Sequence, residues 1–306
     1  MVDVSIIILT KNAGKRFEEL MRRIHSQKFA GMFEVLVIDS GSRDPTLDIA
    51  EKHGARIFKI KPQEFHHSRT RNLGAALAQG RFLTYITQDA LPVNDRWLES
   101  LITPLENDGK VAAVYGRQVA YPDAKPMEKF FYNYFYPKER KILTYKDAED
   151  PGKFYLENVF TSDVNSAIRR EVWEEIGFRE DLIMAEDKDF ALRALKKGWN
   201  IVYEPRACVY HSHNYSVISA FKRRFDDGVA MKQICQNMKN NYIITRGKDY
   251  FINEIKFLIK EHRKWIPYAI LYNLARYLGI ILGKNYEYIP RMLVKKLSRY
   301  GNSISN

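Results

Sequence analysis

Acidic and histidine side chains follow four segments of this sequence, at points where predicted strands end or a helix begins. The four groups are Asp39 in "VIDSGSRD", Asp89 in "YITQDALP", Glu186 and Asp187 in "AEDKDF", and His211 and His213 in "VYHSH". Carboxylates and imidazoles are the side chains that bind divalent metals and transfer protons near neutral pH. Each group alone also has a structural explanation, since an aspartate can cap a turn and an acid pair suits the first turn of a helix. Their shared position at the ends of elements favours one common site.

The elements that must position these groups alternate between strand and helix from residue 4 to residue 116. Apolar runs predict buried strands at residues 4–10, 34–39, 56–61, 82–87 and 111–116, and helical spacing predicts helices at 16–26, 47–52, 68–79 and 97–105. Strands separated by helices of this length imply right-handed crossovers and a mostly parallel sheet in an α/β fold. Ligands of such sheets bind beyond the carboxyl ends of the strands, where Asp39 and Asp89 lie.

The rest of the chain is less regular and then becomes helical. The segment "NVFTSDVNSAIRREVWEEIGF" predicts a strand and a short helix, "AEDKDFALRALKKGW" an amphipathic helix ended by Gly198, and "NIVYEPRACVYHSH" short strands. A polar segment at 146–153 predicts a loop. Helices are predicted at 217–239, 250–261, 265–282 and 290–299. We therefore expect a catalytic domain at residues 1–215 and a helical, basic region at 216–306.

Composition and charge limit the partners. The 306 residues are 45% hydrophobic and 28% charged, which indicates a folded protein, and the net charge is +12. Basic residues gather among aromatic residues in the last third, and no nucleic-acid motif accompanies them, so a membrane surface or an anionic ligand is favoured over nucleic acid. Two cysteines at no metal spacing and the opening "MVDVSIIILTKN", which has no signal-peptide pattern, predict a cytoplasmic location.

The apolar segment "WIPYAILYNLARYLGIIL" at 265–282 is barely long enough to cross a membrane. It carries Asn273 and Arg276 near its middle, and a charge at that depth is costly, so a crossing is disfavoured. Two alternatives stay open: the helix packs on the catalytic domain, or it lies in the membrane interface and makes the protein peripheral.

Several segments in order resemble the family 2 glycosyltransferases, inverting enzymes of the GT-A fold. They are "SIIILTKN", "VLVIDSGSRDPT", "RTRNLGAALAQGRFLTYITQDALP" and "AEDKDFALR", and the resemblance extends from about residue 4 to residue 213. "TQDALP", "YGRQ", "NSAIRREVW" and "VYHSHNYS" resemble the rhamnosyltransferase branch, which takes rhamnose from dTDP-L-rhamnose to build polysaccharides. The resemblance implies a nucleotide-sugar half at about 1–118 and an acceptor half at 119–215, with a saccharide or lipid-linked saccharide as acceptor. A UDP-sugar donor, or a degenerate module that binds a polyanion or lipid, stays an alternative.

The resemblance also implies a divalent metal, Mn²⁺ or Mg²⁺. Family members usually carry Asp-x-Asp after the fourth strand, and the second aspartate binds a metal that bridges the donor's two phosphates. Thr87 and Asp89 occupy these two positions here, so the hydroxyl or Gln88 would replace the hydrogen bonding of the first aspartate. Asp89 and His211 are the implied ligands, with His213 as the alternative, and an imidazole suits Mn²⁺ better than Mg²⁺.

The remaining roles come from the same resemblance. Asp187 is the implied general base, and Glu186 would orient the acceptor or raise the pKa of its neighbour. Asp39 is expected to accept a hydrogen bond from the nucleotide base. The other implied donor-binding residues are Thr10, Asn12, Arg71, Asn72, Arg117 and Gln118, with Arg71 open to interpretation as a surface charge. Arg223 and Arg224 either close over the diphosphate or form a solvated basic face, and a homo-oligomer stays open.

Overall fold

A nine-stranded sheet forms the centre of the protein in a computed structural model that describes residues 2–145, 150–236 and 238–301. The strands lie in the order β3-β2-β1-β4-β8-β6-β9-β5, and β7 pairs with β9. Their bounds are β1 Val4–Thr10, β2 Phe33–Asp39, β3 Arg56–Lys59, β4 Phe82–Ile86, β5 Leu91–Pro92, β6 Val111–Val119, β7 Lys141–Leu143, β8 Asn165–Arg169 and β9 Asn200–Tyr210.

The first four strands are parallel, as predicted from the alternation of strand and helix. β1 lies between β2 and β4, and the carboxyl ends of β1 and β2 are level because Thr10 pairs with Asp39. Both faces of β1 are covered: Ile7 packs into one apolar cluster, while Ile6 and Ile8 pack into the other. A strand buried on both faces reads as a continuous apolar run, which is why these strands could be located in the sequence.

The sheet as a whole is mixed rather than mostly parallel. Four strand pairs are parallel (β1–β2, β1–β4, β2–β3, β6–β9) and four are antiparallel (β4–β8, β5–β9, β6–β8, β7–β9). β8 enters between β4 and β6 and runs against both, with Ile86 opposite Asn165. The backbone N–H of Thr87 donates to the carbonyl of Val164 at 3.3 Å, so the residues before β8 lie beside the end of β4.

The predicted short strands in "NIVYEPRACVYHSH" form one 11-residue strand, β9. Its pairing with β6 continues across a register shift between Gly116 and Arg117, which a sequence pattern does not reveal. At its end, Tyr210 pairs with Leu91 of β5. This pairing brings His211 to the edge of the sheet that carries Asp89.

Helices cover both faces of the sheet and form the C-terminal region. Their bounds are α1 Lys15–His25, α2 Thr46–Lys52, α3 His67–Leu77, α4 Trp97–Asn107, α5 Pro126–Phe135, α6 Pro151–Asn158, α7 Arg170–Ile176, α8 Glu186–Lys196, α9 Val217–Ile234, α10 Asn240–Glu261, α11 Ile266–Lys284 and α12 Arg291–Leu297. The helical spacing of "FEELMRRI" is confirmed, since Phe17, Leu20, Met21 and Ile24 of α1 are all buried.

Two predictions in the second half are corrected. The loop predicted at 146–153 is wrong at its end, because Asp150 accepts a hydrogen bond from the backbone N–H of Lys153 and caps α6, while 146–149 lie outside the described residues. α10 begins at Asn240, ten residues before the predicted start at residue 250. The predicted boundary between a catalytic domain and a helical region at residue 215 stays a prediction.

α9 and α11 cross at very short range through glycines. A Cβ atom on Gly279 of α11 would lie 2.5 Å from the carbonyl oxygen of Phe221 on α9, and one on Gly283 would overlap Phe225. A Cβ atom on Gly228 of α9 would likewise overlap the carbonyl oxygen of Ile280. Only glycine lets two helix backbones approach so closely, so these three residues set the separation of α9 and α11.

α11 has one packed face and one exposed apolar face. Within the described residues, Arg263–Lys284 is the helical stretch that is long and apolar enough to cross a membrane, with a mean hydropathy of 1.2, although a core helix passes the same test. Asn273 and Arg276 both lie on the packed side, where Arg276 covers the ring of Tyr250. The opposite side exposes a stripe of large apolar side chains, Ile270, Leu271, Leu274, Tyr277, Leu278 and Leu282.

Candidate active site

A cavity of about 580 Å³ opens at the carboxyl ends of β1 and β4. The end of β9 and the start of α8 form two of its walls, and α9 and α11 close the far side. Three of the four predicted groups line it: Asp89, the pair Glu186–Asp187, and the two histidines His211 and His213. The sheet edge therefore brings together residues that are far apart in the sequence.

Asp89, His211 and His213 form a compact cluster. One ligand atom from each lies within 4.8 Å of the others. Nε2 of His211 and Nδ1 of His213 are each 3.8 Å from a different oxygen of the Asp89 carboxylate. Burial would raise the pKa of Asp89, but the two histidines outweigh it and lower the pKa below its usual range.

Hydrogen bonding at Nδ1 orients the ring of His211, and Nε2 of the same ring faces Asp89. The amide nitrogen of Gln118 donates to the hydroxyl of Tyr136 at 2.6 Å, so the amide oxygen of Gln118 faces Nδ1 of His211 at 2.9 Å. Nδ1 also lies 3.2 Å from the hydroxyl of Tyr132. We assign the proton to Nδ1, where the amide oxygen of Gln118 and the hydroxyl oxygen of Tyr132 can both accept it, and this leaves the lone pair on Nε2 directed at Asp89. Burial lowers the pKa of His211 to about 4, so the imidazole is neutral at pH 7.

The cluster fits a divalent metal. A carboxylate and two neutral imidazoles form a set of three ligands, and two nitrogen ligands favour Mn²⁺ over Mg²⁺. The hydroxyl of Thr87 is buried beside the Asp89 carboxylate and makes no hydrogen bond of normal geometry within the described residues. A buried polar atom without a hydrogen bond beside three candidate ligand residues is the arrangement expected where a bound group completes the bonding.

Asp187 lies half-buried in the cavity wall at the start of α8. Its carboxylate accepts hydrogen bonds from the backbone N–H groups of Asp163 at 3.1 Å and Lys188 at 2.8 Å. Burial raises the pKa of Asp187, and the neighbouring Glu186 carboxylate raises it further. A fixed carboxylate with a raised pKa is well suited to accept a proton.

Arg71 is buried and forms two ion pairs, which rules out the surface-charge interpretation. Because its guanidinium is engaged by two carboxylates, few of its N–H groups can contact a nucleotide-sugar donor. Its side chain is 2.6 Å from Glu186 and 3.2 Å from Asp163. Burial raises the pKa of Asp163 to about 7, against the lowering effect of Arg71. Glu186 is thus occupied by Arg71, while Asp187 stays open to the cavity. Asp163 was missed in the sequence, where its only signal is an acid just before a strand.

The predicted donor-binding residues divide into two sets. Thr10, Arg71, Thr87, Gln88 and Gln118 line the cavity, and the amide oxygen of Gln88 accepts from the backbone N–H of Lys11 at 2.8 Å. Gln118 serves there mainly to hold His211, a role that the sequence did not indicate.

The second set is engaged within the fold. The Asp39 carboxylate accepts from Thr10, Ser42 and the backbone N–H of Gly41, which matches the turn-capping alternative, and it does not line the cavity. Asn12 donates from its backbone to Ser42 and accepts from the N–H of Arg43, tying two loops together.

Asn72 and Arg117 also point away from the cavity. The amide oxygen of Asn72 accepts from the Trp173 indole and from the N–H of Phe178, both at 3.0 Å. Arg117 donates to the carbonyl of Tyr136 at 3.1 Å. Both residues brace the walls of the cavity from outside it.

The helical region supplies the cations of the far wall. Arg223 and Arg224 of α9 and Arg276 of α11 line the cavity. Arg223 and Arg224 are half-buried against the cavity rather than fully solvated, and Arg224 pairs with Asp227 at 2.9 Å. The strands, the acids and these guanidinium groups together define an enzyme of the class that binds an anionic nucleotide ligand at the edge of an α/β sheet.

This class can be narrowed by comparison with known proteins. Residues 5–177, more than half of the chain, match the model of glycosyl transferase family 2. The protein belongs to this family and is a glycosyltransferase, as the motifs predicted. The family match ends before α8, so Asp187, His211 and the basic far wall lie outside it.

Two relatives match nearly the full length. The O-antigen chain rhamnosyltransferase WbaN of Salmonella anatum is 36% identical, with 100% of this chain and 97% of the relative aligned. The O-antigen chain rhamnosyltransferase RfbN of Salmonella typhimurium strain LT2 is 33% identical over 99% of this chain and 96% of the relative. The predicted resemblance to the rhamnosyltransferase branch is confirmed.

Solved structures confirm the fold class. The mannosyltransferase PcManGT of Pyrobaculum calidifontis, solved with GDP-Man and Mn²⁺, superposes with a TM-score of 0.55 and 16% identity over 98% of this chain and 85% of that one. Residues 1–349 of Staphylococcus aureus TarS give 0.54 and 17% over 94% and 93%. At this identity the likeness shows the GT-A-type fold alone.

Proposed function

We propose that the protein transfers L-rhamnose from dTDP-L-rhamnose to a saccharide acceptor during synthesis of an O-antigen-type polysaccharide. Full-length similarity to two O-antigen rhamnosyltransferases supports the donor and the product class. The observation that carries the proposal is one cavity lined by both Asp187 and the Asp89–His211–His213 cluster. A proton acceptor and a place for a diphosphate's counter-charge are the two requirements of an inverting sugar transfer.

Asp187 is the base in the proposed reaction. The acceptor's hydroxyl oxygen forms a bond to the anomeric carbon of the donor sugar while the bond from that carbon to the phosphate oxygen breaks. Asp187 takes the hydroxyl proton, and the electron pair of the broken bond leaves on dTDP. Two backbone N–H groups fix the direction of the Asp187 carboxylate. Glu186 is engaged in an ion pair with Arg71, so Asp187 is the acid of this pair that would face the acceptor.

Asp89, His211 and His213 would hold the divalent metal, Mn²⁺ or Mg²⁺. When bound, the metal supplies positive charge that offsets the charge of the departing diphosphate. Gln118 keeps Nε2 of His211 free, and Thr87 offers its buried hydroxyl on the same side. Arg223 adds a cation from α9, which is the role first considered for it from the sequence.

A donor screen with product analysis tests this function. The purified protein is incubated with Mn²⁺, a lipid-linked or free saccharide acceptor, and either dTDP-L-rhamnose or UDP-N-acetylglucosamine, and products are identified by mass spectrometry and by anomeric NMR couplings. We expect rhamnosylated product of inverted configuration from dTDP-L-rhamnose alone. If product forms only from the UDP-sugar, the proposed donor is wrong. If neither donor is transferred or hydrolysed, a non-catalytic binding module is favoured.

We further propose that the protein works in the cytoplasm, peripherally on the inner face of the membrane, where a lipid-linked acceptor would lie. The exposed stripe of α11 (Ile270, Leu271, Leu274, Tyr277, Leu278, Leu282) supports this location. Basic residues flank the stripe at both ends: Arg263 and Lys264 before it, and Arg291, Lys295 and Lys296 after it. Each basic residue near an anionic lipid surface contributes about 1 kcal/mol, and the apolar stripe adds insertion into the interface.

Flotation with liposomes that contain anionic lipid tests the location. We expect binding at low salt, weaker binding at high salt, and loss of binding when Leu271, Leu274 and Leu278 are changed to serine. The matched control changes Ile244 and Ile252 of α10, which are also exposed, to serine. A second copy of the chain is the competing occupant; it would appear as a dimer in light scattering that the leucine variant dissolves.

A further inference from the structure

A short segment near the end of the described residues joins two walls of the cavity. Residues 298–300 follow α12, and both Arg299 and Tyr300 line the cavity. We call residues 298–300 the C-terminal strap. It lies about 120 residues beyond the family match, which ends at residue 177, so nothing in that match gives it a role.

One end of the strap is fixed to α9 by a buried carboxylate. Asp226 is fully buried and accepts hydrogen bonds from the hydroxyl of Ser298 and, at 3.0 Å, from the backbone N–H of Arg299. The same hydroxyl accepts from the backbone N–H of Tyr300 at 2.8 Å. A buried carboxylate is well satisfied only while these donors stay in place, so the strap is anchored at this point.

The other end meets α3 on the nucleotide side of the cavity. The hydroxyl of Tyr300 is 3.3 Å from Nε2 of His67, and the two rings pack edge to face with centroids 5.3 Å apart. Burial lowers the pKa of His67 to about 3, so this ring is neutral and adds no charge. The strap therefore runs from α9 of the helical region to α3, which lies in the implied nucleotide-sugar half.

Arg299 is an uncommitted cation beside the metal-ligand cluster. Arg71 and Arg224 are paired with carboxylates, whereas Arg299 forms no ion pair with any carboxylate in the described ranges. Its guanidinium covers the ring of Tyr215 at 5.3 Å, and that ring stacks on His213 at 5.1 Å. The ring of Tyr215 thus lies between Arg299 and His213, which belongs to the proposed metal-ligand cluster.

We propose that the C-terminal strap is part of the donor site and that Arg299 binds the diphosphate of the nucleotide. A planar guanidinium suits bidentate contact with phosphate oxygens. The inference rests on the proposed function, because the ligand is the diphosphate of a nucleotide-sugar. The strap's anchorage to α9 and α3 holds the cation at the cavity wall, where its contact is with the ring of Tyr215 rather than with a carboxylate.

Titration calorimetry with dTDP in the presence of Mn²⁺ tests the proposal. Arg299→Gln should weaken dTDP binding roughly ten- to hundred-fold, as expected for loss of a charge-assisted hydrogen bond. Arg299→Lys should recover part of the affinity. Lys296→Gln, which removes an exposed cation of α12 three residues earlier, should leave the affinity unchanged. Ser298→Ala, which loosens the strap at Asp226, should weaken binding in the same direction by a smaller factor.

A second titration with farnesyl diphosphate separates the donor from a lipid-linked acceptor, since both carry a diphosphate. A loss confined to dTDP supports the proposal, and a loss confined to farnesyl diphosphate overturns it. Equal dTDP affinity in wild type, Arg299→Gln and Lys296→Gln also overturns it. If wild type itself fails to bind dTDP, the proposed function is at fault rather than the strap.

Discussion

The two groups of ionisable side chains in the cavity are built in opposite ways. Around Asp187, the cation is part of the protein. Arg71 lies between Asp163 and Glu186 and pairs with both, which leaves the carboxylate of Asp187 open to the cavity. Around Asp89, the described residues supply ligand atoms, and no arginine or lysine among them forms an ion pair with this carboxylate, although Arg223 and Arg299 line the same cavity. The first group is complete as folded, whereas the second is arranged to receive a positive charge from outside. This contrast supports the proposed division, with proton transfer at Asp187 and metal binding at Asp89.

The largest effect should come from Asp187→Asn. Losing the base should lower kcat by about 10²–10⁴-fold, while dTDP affinity stays close to that of wild type because the donor's diphosphate contacts the other group. Initial rates and calorimetry measure the two effects separately. Asp181→Asn, an exposed carboxylate six residues earlier, is the matched control and should leave both unchanged. Near-normal turnover of Asp187→Asn would end its assignment as base.

Asp89→Ala should remove the response to added Mn²⁺ and weaken dTDP binding. The reason is that two imidazoles alone lack the anionic oxygen ligand on which a divalent cation depends. Activity is measured after EDTA treatment and Mn²⁺ addition, with Asp123→Ala as an exposed control. Wild-type activity that is indifferent to EDTA would show that the two groups do not divide the chemistry as described.

Gln118→Leu should weaken Mn²⁺ binding by about 10–100-fold without removing any ligand. Outer partners of metal-binding histidines have effects of this size because they fix the orientation and tautomer of the ring. Calorimetry with Mn²⁺ measures the change, and Gln118→Glu, which keeps an acceptor for the Nδ1 proton, should restore most of the affinity. Equal Mn²⁺ affinity in Gln118→Leu and wild type would contradict the tautomer assigned to His211.

The smallest effect concerns the pH dependence of turnover. Asp187 must be ionised to act, so kcat should fall as the pH drops through its raised pKa. The positive charge of Arg71 lowers that pKa, so Arg71→Met should move the acid limb of log kcat to higher pH, while Arg71→Lys should move it less. An acid limb at the same pH in all three proteins would mean that Arg71 supports the fold without tuning the base.

The sequence predicted the parallel part of the sheet and most of the cavity's key side chains. β1, β2 and β4 are buried on both faces, so their apolar runs mark them clearly, and polar residues at their ends followed from the fold class. Asp163 could not be found in this way. It reaches Arg71 because β8 inserts antiparallel beside β4, a pairing between residues about 80 positions apart that no local pattern encodes.

Contacts that form only on folding also explain why some of the predicted donor-binding residues do not line the cavity. Asp39, Asn72 and Arg117 have the right residue type near the right edge, yet their polar atoms are consumed by neighbouring backbone groups. Whether a side chain is free or engaged depends on contacts made only after folding. Gln118 illustrates the reverse case, since its importance lies in one bond to a histidine 93 residues away.

The glycine crossing of α9 and α11 has a mechanical consequence. Because the two backbones are in contact, the helices cannot slide or separate without losing their closest packing, and we expect them to move as one unit. Arg224 and Arg276, one on each helix, are therefore fixed relative to each other. On the opposite side of the cavity, the strap meets α3 through the side chains of Tyr300 and His67 rather than through packed backbones. We expect the cavity to open for its sugar nucleotide on that side, with α9 and α11 as the stationary half.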